Sequence, residues 1–185
     1  MICPLNHFVN EKAKSYVVGL MNGDFKLYDN KHAELLKVSS IHDNVSCALY
    51  FKSDVLNCNV FVTASESPNA GLQFGQIGTD RNNYTVVGNA KTSVLEQSAG
   101  VSCLSQNPLT LEQISSASLQ SGDINLWNAD PSNWQGDEKA IEGTLKRQKT
   151  GIKTVEPVGT IKGTSGVSAM KWTTNDSIVT GNNDH

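Results

Sequence analysis

The sequence predicts an all-β fold of repeated four-stranded antiparallel units, and three observations carry that reading. An eight-residue phrase is written twice, as "NGDFKLYD" (22–29) and "SGDINLWN" (121–128), so that Tyr28 and Trp127 close copies of one motif 99 residues apart. A second phrase, Val-Ser followed by Cys or Ala and an apolar alternation, recurs at "NVSCALYF" (44–51), "GVSCLSQN" (100–107) and "GVSAMKWT" (166–173). The runs between them are short, alternate in polarity and are punctuated by Asn, Gly, Asp and Ser, the pattern of half-buried strands joined by turns.

Each element follows in order. "KSYVVGLM" (14–21) precedes the first octamer strand, and "AELLKVSS" (33–40) follows it as a connecting strand. The next unit reads 44–51, "NVFVTASES" (59–67), "AGLQFGQI" (70–77) and "YTVVGNA" (84–90). The third reads 100–107, "TLEQISSASL" (110–119), the second octamer and "VEPVGTIKG" (155–163), and the last reads 166–173 and "DSIVTGNND" (176–184). Val18, Thr63, Ser116 and Thr180 take equivalent second-strand positions. Val45, Val101 and Val167 are spaced by 56 and 66 residues, so the repeat is long and irregular.

Composition narrows the function classes. With 185 residues the chain is long enough for a real core, and a net charge of −3 lacks the overall basicity of a nucleic-acid coat, so any basic function is local. No run of eighteen apolar residues suggests a membrane span, and "MICPLNHFVNEKAKSY" has neither the basic leader nor the apolar length of a secretory signal; the expectation is an intracellular protein. Cys3, Cys47, Cys58 and Cys103 show no metal-ligand spacing and read as reduced, mostly buried thiols. His7, His32, His42 and His185 are scattered and pair with no Ser, Cys or carboxylate at a catalytic spacing. The expectation is no cofactor, no metal site and no catalysis.

Four short strands in roughly 40–45 residues, lengthened here by loop insertions, is the periodicity of a WD-repeat β-propeller blade. The octamers resemble the third strand of that family, whose aromatic packs between neighbouring blades. Resemblance implies an Asp six residues before the aromatic and a Gly-His ahead of the blade. This sequence has Asn22 and Ser121 at the Asp place, Phe74 at the aromatic place of the second unit with Pro68 at its Asp place, His42 or Gln97 near the Gly-His, and Asp184 in the last unit. Residues 1–185 thus read as part of one β-propeller domain, about three blades and part of a fourth, with the expectation that further blades or another chain complete the ring.

One insert is more specific. Residues 129–154 run from acidic (Asp130, Asp137, Glu138, Glu142) to basic (Lys146, Arg147, Lys149, Lys153). An extended loop between blades is expected, with a short helix over "DEKAIEGTLKRQK" as the alternative, weakened by Gly143. The stretch "KRQKTGIKTVEPVGTIKGTSGVSAMKW" (146–172) resembles the WD-repeat subunit of the Pescadillo–Block-of-proliferation ribosome-assembly complex. That resemblance implies a nuclear, mainly nucleolar, non-catalytic scaffold for large-subunit assembly and pre-rRNA maturation. Its implied partners are Block-of-proliferation and Pescadillo-type factors and the pre-ribosomal particle. Family members also carry an N-terminal ubiquitin-like domain that engages an AAA ATPase; the expectation here is the binding role without the release function. Two other readings stand beside it: a generic WD-repeat adaptor in another complex, and direct RNA contact through Lys146, Arg147, Lys149 and Lys153, for which aromatics interleaved for base stacking are missing.

Overall fold

The computed structural model of the chain describes residues 15–38, 44–53, 58–67, 72–80, 83–92, 100–110, 112–128, 157–174 and 176–184. Among them the fold is all-β, with no helix. The first sheet joins β1 (Tyr16–Gly19), β2 (Phe25–Tyr28) and β3 (Glu34–Val38) in sequence order. The second joins β4 (Cys47–Ser53), β5 (Cys58–Ala64), β6 (Leu72–Asp80) and β7 (Asn83–Thr92), and the third β8 (Cys103–Gln106), β9 (Gln113–Ala117), β10 (Ile124–Asn128) and β11 (Gly159–Ile161). A pair, β12 (Val167–Thr174) and β13 (Ser177–Asn182), closes the series. Every pairing is antiparallel.

The strands run where the alternation places them, and register shows that the sheets are copies of one plan. Thr63 opposes Ala48, Ser116 opposes Leu104 and Thr180 opposes Met170, while Val18, Thr63 and Ser116 oppose Lys26, Gln73 and Asn125 on the third strands. The first strands lie side by side, β4 against β8 and β8 against β12, so the sheets fan from a common inner edge as successive propeller blades.

Apolar clusters fill the gaps between blades. Val17, Phe25 and Leu27 of the first blade meet Val45, Ala48 and Phe61 of the second. Leu49, Val62 and Leu72 of the second meet Val101, Ile114 and Trp127 of the third. Ala117 and Ile124 of the third meet Val167 of the fourth. Successive side chains of a strand point to opposite faces, so each strand feeds two of these clusters.

Polar ties repeat with the same period and explain the Val-Ser phrase. The valine N–H donates to the carbonyl at the end of the preceding blade's second strand: Val45 to Leu20 at 3.1 Å, Val101 to Ser65 at 2.7 Å and Val167 to Ser118 at 2.9 Å. In return, Ser46 Oγ donates to the Val101 carbonyl at 2.8 Å and Ser102 Oγ to the Val167 carbonyl at 2.6 Å, each also lying 3.1 Å from its own blade's Ala64 or Ala117 carbonyl. The glycine before two of the valines has a steric cause: a Cβ on Gly100, where φ is +66°, would overlap the Glu66 carbonyl, and one on Gly166 the Leu119 carbonyl.

The register corrects one expectation. Tyr28 opposes Tyr16 and Trp127 opposes Ile114, but the residue opposite the equivalent Phe61 is Gly75. Phe74 opposes Val62 and therefore holds the register position of Leu27 and Leu126 instead. The aromatic missing from the third strand is supplied by the second: Phe61, across from Gly75, stacks on Phe25 of the first blade with ring centroids 4.8 Å apart. A glycine opposite leaves that ring its room.

Candidate protein-interaction surface

The octamers are built for structure. Gly23 and Gly122 have φ of 81° and 71°, the left-handed turn conformation that glycine adopts freely, and each turns the chain into its third strand. The Asp that follows ties third strand to fourth. Asp24, itself buried, pairs with Lys37 at 3.1 Å, and Asp123 pairs with Lys162 at 3.1 Å while accepting the Gly163 N–H at 3.2 Å. Asn22 and Ser121, six residues before Tyr28 and Trp127, cap these turns locally: Asn22 Oδ1 accepts from Asp24 N and Ser121 Oγ from Asp123 N, both at 3.2 Å.

Both buried tryptophans with described side chains are structural too. Trp127 Nε1 donates to Ser116 Oγ at 2.8 Å within its blade, and its ring fills the gap to the second blade. Trp172, on a first strand, reaches into the third blade, its Nε1 donating to Ser115 Oγ at 2.9 Å and its backbone N–H to Ser105 Oγ at 3.0 Å. Ser105 and Ser115 hold the register positions of Leu49 and Val62, so two small hydroxyls replace two aliphatic side chains and make space for the indole. The sequence carries no signal for this role, because Ser105 and Ser115 oppose each other within the third blade while Trp172 reaches them from the fourth.

Among the described residues no group of three or more His, Cys, Asp or Glu could hold a metal ion. Cys47 and Cys103 are free thiols, and burial pushes the Cys103 thiol above its ordinary range, partly offset by a contact with Ser102. Tyr16 and His32 share a 2.8 Å hydrogen bond on an exposed edge, with His32 at φ 65° in a turn whose Asp29 carboxylate accepts from Lys31 N and Ala33 N at 2.8 Å. Neither feature assembles a nucleophile with its base.

Exposed apolar residues mark the two ends of the blades. Met21 (81% exposed) and Leu119 sit in turns between second and third strands, at the end where the Asp–Lys pairs lie. Leu109 and Val158 are exposed at the opposite end, where β10 leaves its sheet and β11 returns. Lys146, Arg147, Lys149 and Lys153 lie outside the described residues, as do His7, His42, Gln97 and Pro68.

No family model matches the chain, and no curated protein matches it. Among solved structures it is similar to the crystal structure of Saccharomyces cerevisiae Sqt1, with a TM-score of 0.39 and 11% identity, over 90% of this chain and 52% of that one. The chain therefore spans about half the length of that neighbour. The repeated register and the inter-blade ties define the fold.

Proposed function

We propose that this chain is a non-catalytic, protein-binding scaffold, part of a WD-repeat propeller that serves large-subunit ribosome assembly and pre-rRNA maturation in the nucleolus. The observation that supports a scaffold is the use of its distinctive side chains: the Gly-Asp turns, the Val-Ser ties and the buried aromatics all go into joining blades. Among the described residues, what remains at the surface is a frame edged with isolated apolar residues, which suits macromolecular docking rather than bond making. The narrower assignment rests on the 146–172 phrase, and it names Block-of-proliferation and Pescadillo-type factors as partners. A generic WD-repeat adaptor would share every blade feature and differ in what it captures.

The acidic-to-basic insert favours a second reading, contact with pre-ribosomal RNA through Lys146, Arg147, Lys149 and Lys153. One experiment separates the two. Changing Lys146, Arg147 and Lys149 together to Ala leaves capture of assembly factors intact under the scaffold reading. Under the RNA reading it flattens the salt dependence of single-stranded RNA binding by about 0.7 per lost phosphate contact. Affinity capture from nucleolar extract and RNA titration at two salt concentrations are the measurements. Tight RNA binding by the parent at physiological salt, mostly lost in the triple variant, would replace the scaffold reading; a parent that captures no ribosome-assembly factor would remove the nucleolar assignment.

A further inference from the structure

The turn between β1 and β2 holds the single Asn-Gly pair of the sequence, Asn22 and Gly23. Such a pair is chemically labile, because glycine has no side chain to keep its amide nitrogen away from the carbonyl carbon of the asparagine side chain. Once that nitrogen has lost its proton it bonds to Asn22 Cγ, the Cγ–Nδ2 bond breaks, and Nδ2 leaves as ammonia with a proton from solvent. The succinimide ring so formed takes up one water. Opening at Cγ gives aspartate at position 22; opening at the main-chain carbonyl gives isoaspartate, whose chain runs through Cβ and Cγ and is one carbon longer. The matching turn of the third blade has Ser121 before Gly122 and cannot react in this way.

The folded turn restrains both reacting groups. Gly23 is buried and its N–H donates to the Leu20 carbonyl at 3.0 Å, which opposes loss of its proton. Asn22 is exposed, but its amide is fixed on Asp24: Oδ1 accepts from the Asp24 N–H and Nδ2 donates to Asp24 Oδ2, each at 3.2 Å. The same turn reaches the next blade, because the Leu20 carbonyl also accepts the Val45 N–H at 3.1 Å. Asp24 is only 6% exposed and pairs with Lys37 at 3.1 Å. A carboxylate at position 22 sets an oxygen where an N–H now donates to Asp24, and two like charges this close, one of them shielded from water, repel.

We propose that Asn22 is a site of spontaneous deamidation, held in check by the folded turn, and that its conversion loosens the first blade from the second. Reaction requires the turn to open locally, so the extent of conversion records how often the first blade has opened. Ammonia departs, which makes each event one-way. Either product then favours further opening: aspartate by repulsion from Asp24, isoaspartate by lengthening the main chain between Leu20 and Asp24, whose N–H and carbonyl are joined at 2.8 Å. This inference is independent of what the scaffold binds.

Two measurements on the full chain test it. Peptide mapping by mass spectrometry follows position 22 in mildly alkaline buffer, folded and in guanidinium chloride. Conversion in denaturant should outrun that of every other asparagine, and folding should slow it by about tenfold or more, since the hydrogen bonds of the turn must open first. Amide hydrogen exchange then reads the tie between blades: in Asn22→Asp the Val45 N–H should exchange faster than in the parent, with a smaller change at Val101, which ties the second blade to the third. Asn22→Ser, which copies the third blade's cap, should match the parent at both amides. Asp24→Asn removes the second carboxylate, so in that background Asn22→Asp should lower the urea midpoint by less; if Asn22→Asp alone does not fold, the double variant should recover cooperative unfolding. Equal conversion in the folded and denatured chains, conversion in denaturant no faster than at other asparagines, or unchanged Val45 exchange in Asn22→Asp would overturn the proposal. An equal cost in both backgrounds, or a double variant that also fails to fold, would overturn the part assigned to Asp24.

Discussion

Trp127→Ala tests the claim that an aromatic holds neighbouring blades together. The indole is the largest fully buried side chain of the described residues, 1% exposed, and packs among Leu49, Val62 and Leu72 of the preceding blade. A buried aromatic of this kind removes about 150–250 Å² from water, worth about 4–6 kcal/mol at about 25 cal/mol per Å². Alanine keeps some contact and the gap relaxes in part, which brings the packing loss to about 3–5 kcal/mol. Ser116, wholly buried, also loses its indole partner, for about 1 kcal/mol more. The sum, about 4–6 kcal/mol, approaches the whole stability of many domains. Trp127→Phe, which keeps a ring but no N–H, should lose about 1–2 kcal/mol. Urea unfolding followed by far-UV circular dichroism is the assay, since indole fluorescence would mix Trp127 with Trp134 and Trp172. An alanine variant within about 1 kcal/mol of the parent, with an unchanged denaturant slope, would refute the wedge. One that is equally stable but fails to capture partners would move Trp127 to a binding surface.

Two further predictions follow from the same interfaces. Ser46→Ala and Ser102→Ala should each cost about 1 kcal/mol through the lost inter-blade bond, whereas Ser168→Ala, which removes a bond within its own blade, should leave the urea midpoint unchanged; equal losses at all three would show that the bond within each blade is what matters. Burial raises the Cys103 thiol, so folding favours its neutral form: the associated stability is present below the ordinary thiol range and is lost as pH rises through the higher folded value. The alkylation rate of Cys103 in a chain whose other cysteines are replaced should therefore climb at higher pH when folded than in urea, and a folded profile at or below the unfolded one would contradict this.

Most of the fold was legible because strand periodicity and the two repeated phrases agree. β12 and β13 emerge from "GVSAMKWT" and "DSIVTGNND" with Thr180 opposite Met170, the register the second-strand equivalence requires. Phe74 shows where that logic fails. In the first and third blades a Gly-Asp turn fixes the start of the third strand, but "AGLQFGQI" has no Asp after its glycine, so only its aromatic, Phe74, suggests a register. A slip of one residue reverses every face of a strand, and the register gives the place of Trp127 to Gly75, one residue on from Phe74. Trp172 was unreadable for a different reason: its pocket consists of two serines, Ser105 and Ser115, from strands whose pairing the sequence does not spell out. The basic insert was conspicuous in the sequence, yet its residues lie outside those described.

The aromatic that joins one blade to the next travels. It stands on the second strand as Phe61, on the third as Trp127 and on the first as Trp172. What persists is occupied volume between sheets, not a residue type in a fixed column. A gap-filling group can therefore migrate by paired substitutions, a large residue gained on one strand as a small one appears on its neighbour, with each step close to neutral for stability. Such drift wears away a sequence signature while leaving the architecture intact. It also constrains engineering: restoring the signature aromatic at Gly75 would overfill a gap that Phe61 already occupies, so the two positions can be redesigned only as a pair.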